Sequence, residues 1–289
     1  VRMKTTKGNR VRGLRGGLLL AAAVAAGLLQ GCSSSSLSID STQALNPDPP
    51  AKMFADGDSL MSRGKFQDAA AKFEALDREH PYSQEARRAI VMAAYAYYRG
   101  GMTPEAIASA ERYVALHPGT KEAPLAHHII ASAYFDEMKG PNRDQGATRK
   151  ALEQYKTLKT RYPESEYARG ADNKIRVAED NLAASEMEVG RYYLKQKNYV
   201  ASINRFKTVA SDYQTTAHVE EALMRYMALG ITKEAQNSAA ILGHNYPDSK
   251  WYRDAYTLLK SDGLAPRDDG DSWLSKAWKS VPKLSLGSN

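Results

Sequence analysis

From about residue 50 to 261, apolar positions recur at helical spacing and no period-two alternation interrupts them, so the body of the chain reads as helix throughout. The helices fall into one constant register. Five times a histidine or tyrosine stands before a proline or its stand-in: His80-Pro81, His117-Pro118, Tyr162-Pro163, Tyr213-Gln214 and Tyr246-Pro247. Twelve residues before each proline position lies a small side chain (Ala69, Ala106, Ala151, Ser202, Ala235). Eight before it come Phe73, Ala110, Tyr155, Phe206 and Ala239, and five before it Leu76, Tyr113, Leu158, Val209 and Leu242. A small residue lets two helices approach, a large one fills the gap between them, and proline stops the second helix because it cannot donate to the next turn.

This register resembles the second helix of the tetratricopeptide repeat, and the preceding helices match its first: Gly57 with Leu60, Ala94 with Tyr97, Ala131 with Tyr134, Gly190 with Tyr193, Leu223 with Tyr226. The predicted fold is all-α, a solenoid of five such helix pairs. The proline spacings of 37, 45, 51 and 33 residues show where it departs from regularity. The third repeat's excess lies in the loop-like stretch Lys139 to Gly146. The fourth repeat's excess holds no breaker, so residues 165–196 are predicted as one long helix joining three N-terminal repeats (50–164) to two C-terminal ones (165–262). Its roughly 17 extra residues add about 25 Å. A capping helix is expected at 249–261. In the tail, 263–289, Trp273, Leu274, Ala277 and Trp278 form an apolar stripe on a helix too short to stand alone, which is expected to pack back on its own chain.

Charge changes the picture only at the N-terminus. Of 40 Lys and Arg residues, six (Arg2, Lys4, Lys7, Arg10, Arg12, Arg15) precede the apolar run Leu18 to Leu29, leaving 34 basic against 33 acidic side chains elsewhere. A near-neutral body excludes the concentrated basic face that nucleic acid requires. The basic stretch and the twelve-residue apolar run read as an export signal, 1–31, too short for an ordinary membrane span. The run ends in Leu29-Gln30-Gly31-Cys32, which resembles a bacterial lipobox. Cys32 is the one cysteine, so it is the expected lipid-attachment site, followed by a flexible leash over 32–49. Ser33 resembles the signal for passage to the outer membrane. The expected localisation is therefore the outer membrane's periplasmic face, held by a lipid anchor.

Catalytic chemistry finds no foothold. The sequence has no His-Glu-x-x-His, no phosphate-cradling glycine loop and no Gly-x-Ser-x-Gly elbow, and its acids spread along helix faces. No cofactor or metal is expected, and function is sought in surfaces. Repeat solenoids use the inner faces of their first helices as a groove. By register that groove holds Phe54 and Met61, then Arg88, Val91, Tyr95 and Tyr98 beside Arg99, then Leu125, His128 and Phe135. Such aromatics with cations nearby suit an extended peptide and its terminal carboxylate. Tyr97 is expected to pack between helices. The C-terminal half offers Met187, Arg191, Met224 and Met227 instead.

Taken together, the lipobox, leash, five repeats, lengthened third-repeat loop and long connecting helix resemble the BamD family, lipoproteins of the outer-membrane β-barrel assembly machinery. Local stretches agree, including Gly64 to Ala70 in the first repeat and Tyr199 to Arg205 in the fourth. The likeness covers about residues 28–261 and leaves out the tryptophan-bearing tail. It implies a non-catalytic scaffold whose N-terminal repeats receive unfolded outer-membrane proteins and whose C-terminal repeats hold the central barrel subunit, BamA, with smaller accessory lipoproteins as further partners. It also implies that Arg205, after Asn204, meets an acidic site on that subunit. Two other classes compete: a pilotin-like repeat lipoprotein escorting secretin subunits, which the long helix disfavours, and an envelope hydrolase, which no motif supports.

Overall fold

The computed structural model describes residues 48–229 and 232–279; the export signal, Cys32 and nearly all of the leash lie outside the described residues. Within them the regular structure is helical throughout, and the helices pack in consecutive antiparallel pairs. The first three pairs are α1 (Pro50–Ser62) with α2 (Phe66–Glu79), α3 (Gln84–Arg99) with α4 (Thr103–Leu116), and α5 (Ala123–Asp136) with α6 (Gly146–Arg161). A single turn, α7 (Glu166–Arg169), precedes the long α8 (Ala171–Lys195), which pairs with α9 (Tyr199–Asp212). Then come α10 (Val219–Ala228) with α11 (Thr232–Asn245), the cap α12 (Lys250–Ser261) and the tail helix α13 (Trp273–Lys279). This is the tetratricopeptide-like solenoid that the register predicts.

The residues of the register are the ones that lock each pair. In repeats one and four the small position is glycine, and a Cβ added to Gly57 or Gly190 would lie 2.5 Å from the ring of Phe73 or Phe206. Both rings are 0% exposed. Only a residue without a side chain admits a phenyl ring that close to the helix backbone.

The aromatic at each repeat end has a second role, invisible in the spacing. His80, His117, Tyr162 and Tyr213 leave their helices with nearly the same dihedrals, φ between −126° and −136° and ψ between 42° and 53°. Three of the five end-of-repeat aromatics reach the preceding turn. The His80 Nε2 donates to the Asp48 carbonyl at 2.8 Å, Tyr162 Oη to Pro118 at 2.8 Å, and Tyr246 Oη to Gln214 at 3.3 Å. Three residues after each aromatic stands a serine or threonine. Ser83, Ser165 and Ser249 cap the next helix by accepting an N–H, while Thr120 and Thr216 donate back to the aromatic's own carbonyl.

One expectation is corrected. The helix predicted across 165–196 is split at Gly170, which ends α7 and precedes α8. Glycine is about 1 kcal/mol poorer than alanine inside a helix, and Ser165 caps the short turn by accepting from the Ala168 N–H at 3.2 Å. The 25 residues of α8 still bridge the halves. Its first half contributes Ala178 and Leu182 to a core with Leu152 of α6, and its second half adds Ala183 and Met187 to a core with Phe206 and Val209 of α9.

Candidate functional site

The inner face of repeats one to three is built mainly from α3 and α5. Along α3, Arg88 stands with its guanidinium 4.7 Å over the Phe54 ring. About two turns further, the Tyr95 hydroxyl accepts from Arg99 Nη1 at 3.0 Å, and the Arg99 guanidinium lies 5.3 Å from the Phe66 ring. Neither Arg88 nor Arg99 meets a carboxylate at ion-pair distance among the described residues. Each lies over an aromatic ring face instead.

Deeper in the face, the Tyr98 hydroxyl donates to Asp136 at 2.8 Å. Burial and that bond push its pKa up to about 12, so it stays a donor at any physiological pH. His128 stacks on Tyr167 with centroids 4.9 Å apart and stands edge-on to Tyr155 at 6.5 Å. Burial first, then the nearby Lys174, hold its pKa below the usual 6.5, against a smaller opposing effect of Glu166; the ring is neutral at pH 7. Phe135 meets Tyr155 edge-on at 6.1 Å and carries the Lys174 ammonium 4.0 Å from its ring centroid. The Ser132 hydroxyl ties this lobe together, 3.2 Å from Tyr155 Oη and 3.4 Å from His128 Nε2.

The structure thus brings Tyr98, His128 and Phe135 into one aromatic lobe, with Arg88, Tyr95 and Arg99 along its approach. It removes Val91, which is 1% exposed and packs among Ala110, Tyr113 and Ile130. Spacing put Val91 one turn from Tyr95, but the crossing of α4 and α5 over α3 covers that turn. Tyr97 behaves as expected, half-buried and donating to Glu74 of α2 at 2.8 Å. Two members went unforeseen, Tyr167 and Lys174, delivered by α7 and the start of α8. The clue in the sequence is Pro163 followed by the cap Ser165, which restarts a helix where a continuous one was expected.

The C-terminal inner face differs. Met187 and Met227, expected to line it, are 0% and 2% exposed and belong to the core. Arg191 reaches both oxygens of Glu221 at 3.1 and 3.2 Å and Glu188 at 2.7 Å, and Arg225 Nε donates to Glu221 at 2.5 Å. Burial pushes the Glu221 carboxyl up, but the two arginines outweigh it and hold the pKa below the usual range. Elsewhere in this half, Arg205 of α9 is partly exposed beside the fully buried Phe206. Its Nη1 donates to Glu186 at 2.9 Å. With Tyr193, Ala201, Asn204 and Thr208 it lines a shallow open pocket of about 220 Å³. The pairing with Glu186 was not foreseen.

These features define a class: a tetratricopeptide-like helical-repeat scaffold. No helix among the described residues is long and apolar enough to cross a membrane, and no cluster of potential metal ligands occurs there. The family model YfiO, described as outer membrane lipoprotein, matches residues 46–241. The chain is 39% identical to the outer membrane protein assembly factor BamD of Caulobacter vibrioides over 87% of its own length and 83% of that protein. It is 36% identical to BamD of Rickettsia prowazekii (84% of this chain, 97% of that one) and 30% to BamD of Neisseria meningitidis serogroup A (71% and 82%). The chain belongs to the YfiO/BamD family of outer membrane lipoproteins.

Proposed function

We propose that this protein is a non-catalytic scaffold for outer-membrane protein assembly, lipid-anchored through Cys32 on the periplasmic face of the outer membrane. Its N-terminal repeats receive unfolded outer-membrane proteins on the lobe of Tyr98, His128 and Phe135, approached past Arg88, Tyr95 and Arg99. Its C-terminal repeats hold a BamA-like barrel subunit at Arg205, with smaller accessory lipoproteins joining the assembly. The observation that carries this reading is the contrast between inner faces, open aromatic rings in one half and a closed ion-pair cluster in the other, in a chain whose relatives are named outer membrane protein assembly factors.

The chemistry supports the assignment of roles. Rings and ring-steered cations bind extended chains of varied sequence, because every aromatic or aliphatic side chain can pack on a ring face and a terminal carboxylate can meet a guanidinium. Arg205 uses only Nη1 on Glu186, which leaves the rest of its fork for a second carboxylate.

The test is purification of the tagged full chain from solubilised outer membrane. The barrel subunit is expected to co-purify, and Arg205→Glu is expected to remove it while circular dichroism stays unchanged. Recovery of secretin subunits in its place would overturn the reading. In parallel, Cys32→Ser should accumulate as unprocessed precursor; a normally processed N-terminus by mass spectrometry would refute the anchor.

A further inference from the structure

Residues 262–279 lie beyond the matched family segment, and nothing in the proposed function uses them. They are nevertheless read closely by the repeats. After α12 the chain doubles back along α11, where Gln236 Nε2 donates to the Ala265 carbonyl at 2.8 Å and the Gln236 carbonyl accepts from the Arg267 N–H at 3.2 Å. Asn237 is the hub. Its Nδ2 donates to Ser272 Oγ at 2.5 Å, and its Oδ1 accepts from the Asp269 N–H at 3.2 Å and lies 2.9 Å from Ser275 Oγ. α13 then lies against α9 and α11. Trp278 Nε1 donates at 3.1 Å to the Ala210 carbonyl, in the last turn of α9, where helix carbonyls lack partners of their own. Trp273 stands edge-on to Tyr226 at 5.7 Å, under the Lys207 ammonium at 4.4 Å. Leu274 between them is 0% exposed.

The repeat register shows that this is an added layer. Asn237 lies ten residues before its proline, and the same position in the other four repeats (Ala71, Ala108, Glu153, Asn204) is exposed. Asn237 is 0% exposed. A position that faces outward in every other repeat is buried here because the tail covers it, and both polar ends of its amide are spent on residues 269–275. A buried amide so committed sets register and orientation in a way that apolar packing cannot. The described part of α13 is seven residues, too few to hold a helix without a surface to fold on.

We infer that the outward face of the fifth repeat's second helix is a helix-binding site, and that its ligand, an amphipathic tryptophan-bearing helix, is carried in cis as residues 265–279. The strap ties α9 to α11. It grips α9 at Lys207 and Ala210, whereas Arg205, two residues before Lys207 and so about 200° around the helix, is left facing its own pocket. The strap thereby fixes the helix that presents Arg205, a consequence that rests on the partner contact proposed above; the binding site itself does not.

The experiment is hydrogen exchange with mass spectrometry on the full chain and its Trp273→Ala/Trp278→Ala variant, which alters only the strap. In the variant, amides of 265–279 should exchange at least about tenfold faster, those of α9 and α11 should accelerate less, and α1 to α6 should be unchanged. A synthetic peptide of residues 262–279, supplied at about the millimolar concentration that a short tether provides, should restore protection to α11. Unchanged exchange in the variant, or collapse of α8 to α12 together with the strap, would overturn the inference, the latter by making α13 an integral core element. A peptide that restores nothing would also overturn it, and a doubled mass in solution would assign the strap to a neighbouring copy. None of these readouts depends on barrel-subunit binding, so the two proposals fail separately.

Discussion

The inner face of repeats one to three and that of repeats four and five are built on the same register, yet one is left open and the other is closed on itself. In the first, His128, Phe135, Tyr155 and Tyr167 meet ring to ring beside Tyr98, while Arg88, Arg99 and Lys174 stand over aromatic faces. In the second, two arginines and two glutamates satisfy one another. Opening that cluster to bind something else would first cost its charge-assisted bonds, about 1.5–3 kcal/mol each in a partly buried setting. An aromatic face has no such debt. The repeat scaffold therefore decides where surfaces lie, and the outward residues on the first helices decide which of them are open to a ligand.

If the two halves share their packing and differ only in their faces, the same packing change must cost the same in both. Gly57→Ala and Gly190→Ala each push a Cβ to 2.5 Å from a buried ring. Overpacking of that kind costs about 1–3 kcal/mol, against about 1 kcal/mol gained in helix propensity, so each variant should lose up to about 2 kcal/mol in urea unfolding, and the same amount at both sites. A large loss at one glycine and none at the other would break the equivalence of repeats one and four.

A smaller effect should separate the halves. Glu221→Gln removes the charge that serves both Arg191 and Arg225, and should cost about 1 kcal/mol; the arginines stay partly exposed, so solvent recovers the remainder. Hydrogen exchange should quicken in α8 and α10 and stay unchanged in α3 and α5. Equal acceleration throughout would mean that the cluster is not a local feature of the C-terminal face.

The pH dependence should separate them as well. His127 and His128 are held below the usual 6.5 by burial, so the unfolded chain binds protons that the folded one refuses. Their cost is absent above the unfolded pKa and grows as pH falls through the histidine range. The Glu221 carboxyl is held below the usual 4.5, so its contribution is present above that pH and is lost only as pH falls through its folded pKa. On acidification, α5 should lose exchange protection before α10 does, and His128→Gln should reduce that early loss. Simultaneous loss in both helices would contradict the assignment.

Much of this was legible in the sequence, and what was not has a common cause. The five pairs follow from local residues, since the small position, the ring that fills it and the aromatic before proline act within one repeat. Three features depend on how helices cross. Val91 is covered by elements that spacing along α3 cannot reveal, and Met187 and Met227 point into the pair rather than out of it. Tyr167 and Lys174, on either side of Gly170, join the site because α7 and the start of α8 come against α5. At Arg205, exposure followed from its place beside Phe206, but its pairing with Glu186 required the neighbouring helix.

The central claim is that the two halves bind different polypeptides through different chemistry. It is tested most directly by measuring two affinities on three proteins: the wild type, Tyr95→Ala/Tyr98→Ala, and Arg205→Glu. One ligand is a labelled peptide from the C-terminus of a β-barrel protein; the other is the periplasmic domain of the barrel subunit. The tyrosine pair should lose about 1–3 kcal/mol toward the peptide and nothing toward the subunit. Arg205→Glu should lose about 2–5 kcal/mol toward the subunit and nothing toward the peptide. If both variants, folded by circular dichroism, weaken both ligands alike, or if neither weakens either, the division of labour between the halves is wrong.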